Sequence, residues 1–195
     1  EILIVADSSA KAKFVAADLL SQAEHDRLAS AVLVTDDAEL AQAVQAEIEA
    51  QLPLLARQEI ARESIDKNGK IILAETLDEA IEISNAIAPE HLELCVSDPF
   101  AWLDRVRHAG SIFMGNYCPE ALGDYFAGPN HTLPTSGTAR FSSPLGVHDF
   151  VKTTQFTYYT KDALASVADK VAYFARKEGL EAHARSAAIR TEETK

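Results

Sequence analysis

Glu1-Ile2-Leu3-Ile4-Val5-Ala6-Asp7-Ser8-Ser9 opens the chain with the pattern of a buried strand followed by a turn. Residues 1–6 are almost continuously apolar and rich in branched side chains. A strand with no alternating polar face is buried on both sides, as in a parallel sheet. Asp7-Ser8-Ser9 supplies turn and capping groups. Residues 10–28 then carry Phe14, Ala17, Leu20 and Ala23 at helical spacing, which predicts a helix. The unit recurs twice. Residues 31–35 form a strand capped by Asp36-Asp37, followed by helix over 38–65 broken near Pro53, and residues 70–74 form a strand followed by helix over 77–87. A strand at 92–96, a helix at 98–108 and a strand at 111–114 continue the alternation. The expected fold class is α/β, a parallel sheet flanked by helices, an incomplete Rossmann-like arrangement with a C-terminal helical tail.

From Asn116 to Pro144 the composition turns to Gly, Pro, Asn, Thr and Ser. So long a segment between elements points to function rather than mere connection. Beyond Gly146 a β-prone segment, Phe156-Thr157-Tyr158-Tyr159, leads to helix over 161–177 and a further helical stretch to Thr191. We therefore expect an α/β domain over 1–145 and a β/helical tail over 146–195. The tail's apolar Val167, Val171, Phe174 and Ile189 call for a partner surface.

The chain has 195 residues, 47% of them hydrophobic, which suits an ordinary globular core. Its formal charge of -12 disfavours a nucleic acid or an anionic membrane as partner. No apolar run approaches the ~20 residues of a membrane span, and Cys95 and Cys118 are too few and too far apart for a disulfide framework. A reducing cytoplasm is the expected setting. The chain begins inside a strand pattern and holds a single methionine, Met114, so it reads as a piece of a longer polypeptide.

Four groups of residues could carry chemistry. Gln22 and His25, three apart on one helix face, make either a two-point metal grip or a histidine resting on the last helix carbonyls. Glu90-His91 falls where a helix stops and a strand begins, as either an acid/base pair or an ion pair at a helix end. Asp124 lies in the Gly-rich segment as either a hard oxygen ligand or a turn residue. Glu178 and His183 flank Gly179 on what could equally be a solvated helix surface. Neither G-x-G-x-x-G nor a P-loop occurs in the sequence. The residues alone point to a metal-assisted α/β enzyme whose ligands gather at the C-terminal edge of the sheet, where open α/β folds usually bind.

Three longer blocks narrow this reading. Asp18-Leu19-Leu20-Ser21-Gln22-Ala23-Glu24-His25, Ala88-Pro89-Glu90-His91-Leu92-Glu93-Leu94, and the run from Pro119-Glu120-Ala121-Leu122-Gly123-Asp124-Tyr125 through Gly128-Pro129-Asn130-His131 to Gly137-Thr138-Ala139-Arg140 resemble the histidinol dehydrogenase family. The resemblance covers the whole chain and implies the C-terminal portion of a protein about twice as long. It implies zinc held by Gln22, His25, Asp124 and His183, acid/base work by Glu90 and His91, and contacts to L-histidinol from Gln22, His25, His91, Asp124, Glu178 and His183. It further implies a homodimer with shared sites, in which His183 and Glu178 reach the partner's site. The implied reaction is the two-step oxidation of L-histidinol to L-histidine with NAD, whose contacts lie mainly outside this chain. Two other readings remain at this point: a zinc-dependent hydrolase using Glu90 as base, and a non-catalytic interaction domain of the same fold.

Overall fold

Five short segments pair in one parallel sheet: β1 (Ile2–Ala6), β2 (Ala31–Thr35), β3 (Lys70–Leu73), β4 (His91–Cys95) and β5 (Ser111–Met114). Of these, β1, β2 and β4 are buried along their whole length. The structure is a computed structural model and describes residues 1–192. The spatial order is β3-β2-β1-β4-β5, that of five strands of a dinucleotide-binding sheet. β1 is central, with Ile2 opposite Ala31 on one side and His91 on the other.

Alternation along the strands sorts the core into two layers. Ile2, Ile4, Ala6, Ala31, Leu33 and Cys95 face α1 (Ala12–Ala23), α2 (Ala38–Gln51) and α3 (Gln58–Asn68). Leu3, Val5, Val32, Val34, Leu92 and Leu94 face α4 (Leu77–Ile87) and Trp102 of the short α5 (Phe100–Leu103). On β4 the first layer receives His91, Glu93 and Cys95. Polar groups thus occupy positions whose neighbours on β1 are Ile2, Ile4 and Ala6.

Several predicted boundaries move for local reasons. α1 stops at Ala23 and buries Val15, Ala16, Leu19, Leu20 and Ala23, leaving Phe14 and Ala17 exposed. At Pro53 the helix passes through a 3-10 turn, Leu52–Leu54, before α3 begins. The helix expected over 98–108 is reduced to Phe100–Leu103. Asn85 captures the backbone beyond it, donating to the Arg105 carbonyl and accepting from the Arg107 and His108 amides, so those groups are satisfied without a helix.

Past β5 come α6 (Glu120–Leu122), a single π turn over Gly123–Ala127, and irregular chain with 3-10 turns at Thr138–Arg140 and Val147–Phe150. Contacts divide the molecule into Glu1–Phe150 and a second unit from Val151 onward. In the second unit, α8 (Ala168–Lys177) and α9 (Glu181–Glu192) pack through Ala172, Ala175 and Ala184, preceded by α7 (Lys161–Ala165). The predicted β segment at 156–159 is not a strand. Phe156, Tyr158 and Tyr159 are exposed, and no neighbouring strand accepts a ladder there. The helix expected over 161–177 is interrupted at Ser166 and Val167, and residues 193–195 of the expected tail lie outside the described residues. Among the described residues, no helix is long and apolar enough to cross a membrane.

Candidate active site

α4 ends at Ala88, whose left-handed backbone (φ 57°) turns the chain so that Pro89 and Glu90 lead directly into β4. The Glu90 carbonyl accepts from the Ser111 amide at 2.9 Å. A Cβ on Gly110 would stand 2.5 Å from that oxygen, so only glycine allows this approach.

His91, the first residue of β4, is 4% exposed. Its Nδ1 lies 3.0 Å from the carbonyl oxygen of Glu1, which can only accept, so Nδ1 carries the proton and the neutral ring keeps its lone pair on Nε2. That Nε2 is buried with no hydrogen-bond partner among the described residues, and Glu120 Oε1 lies 3.8 Å away. Burial holds the imidazole below its ordinary pKa, against the opposing pull of the Glu90 carboxylate. Glu90 Oε2 accepts from the Glu1 nitrogen at 2.9 Å and lies 3.9 Å from His91 Nδ1.

His91, Glu120 and Asp124 offer nitrogen and oxygen atoms within 4.8 Å of one another. Burial, then its neighbour Asp124, pushes Glu120 up to about 7. Burial would raise Asp124 as well, but hydrogen bonds from Glu120 and His131 outweigh it and the net shift is downward. His131 Nδ1 sits 2.7 Å from Asp124 Oδ1, and that bond raises the imidazole's pKa.

A second buried acidic group lies beneath this cluster. Glu93, 1% exposed, accepts from the Glu120 amide at 2.8 Å and is hydrogen-bonded to Asp18 of α1. Burial and the Asp18 charge raise Glu93 to about 9, and burial raises Asp18 to about 6. Burial also pushes the Cys95 thiol up, which makes it a core residue rather than a nucleophile.

Asp18 fixes the level of Gln22. Four residues along a helix advance ~6 Å and two along a strand ~6.6 Å. With Asp18 against Glu93 and α1 antiparallel to the strands, Gln22 comes level with His91. Gln22 is buried, and its Oε1, like His91 Nε2, has no partner among the described residues.

The structure thus gathers Glu90, His91 and Asp124, with Gln22 at the same edge. His25 lies exposed in the turn after α1, its carbonyl accepting from Arg57. Glu178, at the end of α8, and His183, in the first turn of α9, are exposed in the second unit, where both line one depression with Phe174 and Leu180. The edge itself is a correction. His91 begins its strand, so the cluster lies at the N-terminal edge of the sheet, not the C-terminal one. Chain beyond β5 returns to that edge: the Ser136 amide donates to the Glu1 carboxylate, and Arg140 donates to the Ala86 carbonyl. Glu120, Glu93 and Asp18 received no role from the sequence. Their one visible signal is an acidic residue in the middle of an otherwise apolar strand.

Comparison with known proteins places these residues in context. The family model described as histidinol dehydrogenase matches residues 1–191. Histidinol dehydrogenase of Bacillus cereus is 58% identical over 195 residues, covering 100% of this chain and 46% of its own length. That of Syntrophotalea carbinolica is 55% identical over 194 residues, covering 100% and 45%. The crystal structure of histidinol dehydrogenase from Elizabethkingia anophelis matches with a TM-score of 0.88 at 37% identity, covering 99% of this chain and 44% of that one. The chain therefore spans just under half the length of the relatives it matches.

Proposed function

Because the chain belongs to the histidinol dehydrogenase family, we propose that it supplies the metal and acid/base residues for the NAD-dependent oxidation of L-histidinol to L-histidine in histidine biosynthesis. The observation that carries this reading is the buried His91 Nε2, without a partner among the described residues and held as a free base by the bond from Nδ1 to Glu1. In the first oxidation His91 takes the proton from the hydroxyl oxygen as hydride leaves the carbon that bears it, and the C=O bond forms. In the second, Glu90 takes a proton from the water that adds to the aldehyde-level carbon, and a second hydride leaves to give the acid. Each turnover thus consumes two NAD and one water.

The donor set suits a divalent metal. Buried Gln22 Oε1 lacks a partner among the described residues, and Asp124 is held ionised. Gln22, His25, Asp124 and His183 are the proposed zinc ligands, and Glu178 a substrate contact. When bound, zinc supplies a Lewis acid for the substrate's amino and imidazole nitrogens, and NAD supplies the hydride acceptor, held mainly by parts of the protein outside this chain. We place the enzyme in the cytoplasm as a homodimer with shared sites. Exposed Val171, Phe174 and Leu180 beside His183, with exposed Ile189 further along α9, support the tail as a subunit contact.

The full-length protein is expected to contain zinc and to form two NADH per histidinol. Turnover of histidinol esters without NADH would instead favour a hydrolase. Glu90→Gln should slow the second oxidation more than the first, measured by supplying the aldehyde directly. Equal slowing of both steps would remove Glu90 from water activation.

Shared sites predict complementation between subunits. Mixing full-length His183→Asn with Glu90→Gln should yield hybrid dimers with one doubly defective and one intact site, recovering up to about half the activity of a native dimer. No recovery in demonstrably mixed dimers would mean that His183 serves its own chain.

A further inference from the structure

Glu93 stands at the centre of a buried strand, 1% exposed, across from Ile4. A leucine would fill that position without bringing a carboxyl group out of water, so the acid is not explained by packing. Its two oxygens reach different parts of the molecule. One accepts from the Glu120 amide at 2.8 Å, and the group is also hydrogen-bonded to Asp18, with the Cys95 thiol 3.8 Å from Oε2. Asp18 belongs to α1, one turn before Gln22. Glu120 opens the segment that carries Asp124, and Glu93 itself is two residues from His91 on the same face of β4. One carboxyl group therefore joins the three elements that converge on the candidate active site.

We propose that Glu93 is a positioning residue, whose carboxyl group locks α1 and the Glu120–Asp124 segment to β4 and so sets Asp124 and Gln22 against His91. The same segment also meets β5 through an apolar contact: Gly123 lies against the Phe113 ring, where a Cβ would come within 2.5 Å. Such a contact resists compression but not sliding. A directed bond to the Glu120 amide fixes the segment along the strand as well, and a displacement of about 1 Å at such a site is costly to function.

The inference rests on the proposed function where metal and activity are concerned, so its test includes a readout that needs neither. In the full-length, metal-free protein, amide hydrogen exchange should show the Glu120 amide protected in the wild type and opened by Glu93→Leu. The isosteric Glu93→Gln keeps an acceptor for Glu120 and a donor for Asp18, and should restore protection. Cobalt(II) titrated into the same proteins should bind about tenfold more weakly to Glu93→Leu than to Glu93→Gln, with kcat for histidinol falling in parallel. Native exchange and native cobalt affinity in a folded Glu93→Leu protein would overturn the proposal. If that variant fails to fold, the wild type decides alone: a Glu120 amide exchanging as fast as the exposed amides around it would overturn the proposal, and protection would support it. A wild type that neither binds cobalt nor oxidises histidinol would sink the functional reading and leave the exchange result to judge Glu93.

Discussion

His91→Asn in the full-length protein is expected to lower kcat for histidinol oxidation by about 10²- to 10⁴-fold, the usual contribution of a positioned general base. Asparagine is the discriminating replacement. Its amide nitrogen can stand in for Nδ1 and keep the bond to the Glu1 carbonyl, while nothing replaces Nε2. The fold should survive, because the contact that anchors the start of β4 is retained and only part of a ring is lost beside Phe113, whose centroid lies 6.0 Å away. The pH profile provides a second check. Burial lowers the His91 pKa, so the neutral ring is present above that value and activity falls only as the pH drops through it, below the ordinary 6.5. The acid limb of the wild-type kcat/KM profile should therefore lie below 6.5 and vanish in the variant. A limb that survives in His91→Asn belongs to another group, and an unchanged kcat would remove His91 from the chemistry.

The second large effect is on stability. Glu93 is held protonated well above the carboxylate range, up to about 9 against an ordinary 4.5. Its folded pKa is raised, so the stabilisation it contributes is fully present below 4.5 and is lost as the pH rises toward 9, because the unfolded chain releases the proton first. The limiting slope is about 1.4 kcal/mol per pH unit. Of the groups facing it, Asp18 from α1 and the Glu120 carboxyl group of α6 oppose ionisation, the Cys95 thiol on β4 stays uncharged, and the Glu120 amide, which favours the ionised form, is outweighed by burial. Glu93→Gln cannot ionise and escapes this loss. Urea denaturation of both proteins between pH 5 and 8.5 should show the wild type falling progressively behind the glutamine variant. Asp18, raised from 3.8 to about 6, gives a smaller change of the same sign at lower pH. Parallel stability profiles would mean that Glu93 is ionised in the folded protein.

How much of this the sequence could show depends on the range of each interaction. The strand and helix alternation was legible because periodicity and capping are local: β1 and β2 announce themselves as apolar runs, and Asp37 caps its helix as such residues do. The pairing of Glu90 with His91 was legible for the same reason. The blocks around Gln22, His91 and Asp124 were sufficient to identify the family. Local signals also misled. Of the helically spaced Phe14, Ala17, Leu20 and Ala23, only the last two are buried, and the β propensity of residues 156–159 found no strand to pair with. The helix expected over 98–108 yielded to a single side chain, Asn85, about 20 residues away.

Where the chemistry sits follows from how the chain folds back on the sheet. Parallel strands need crossovers, so α1 must run back along β1, carrying Asp18 and Gln22 toward the strand beginnings and setting Asp18 beside Glu93. The same return brings Glu120 and Asp124 from beyond the end of β5 to His91. No period in the sequence encodes a hydrogen bond between residues 75 or 27 positions apart. Those contacts form because a buried polar atom must find a partner, and the partner is whichever group the crossover places within reach.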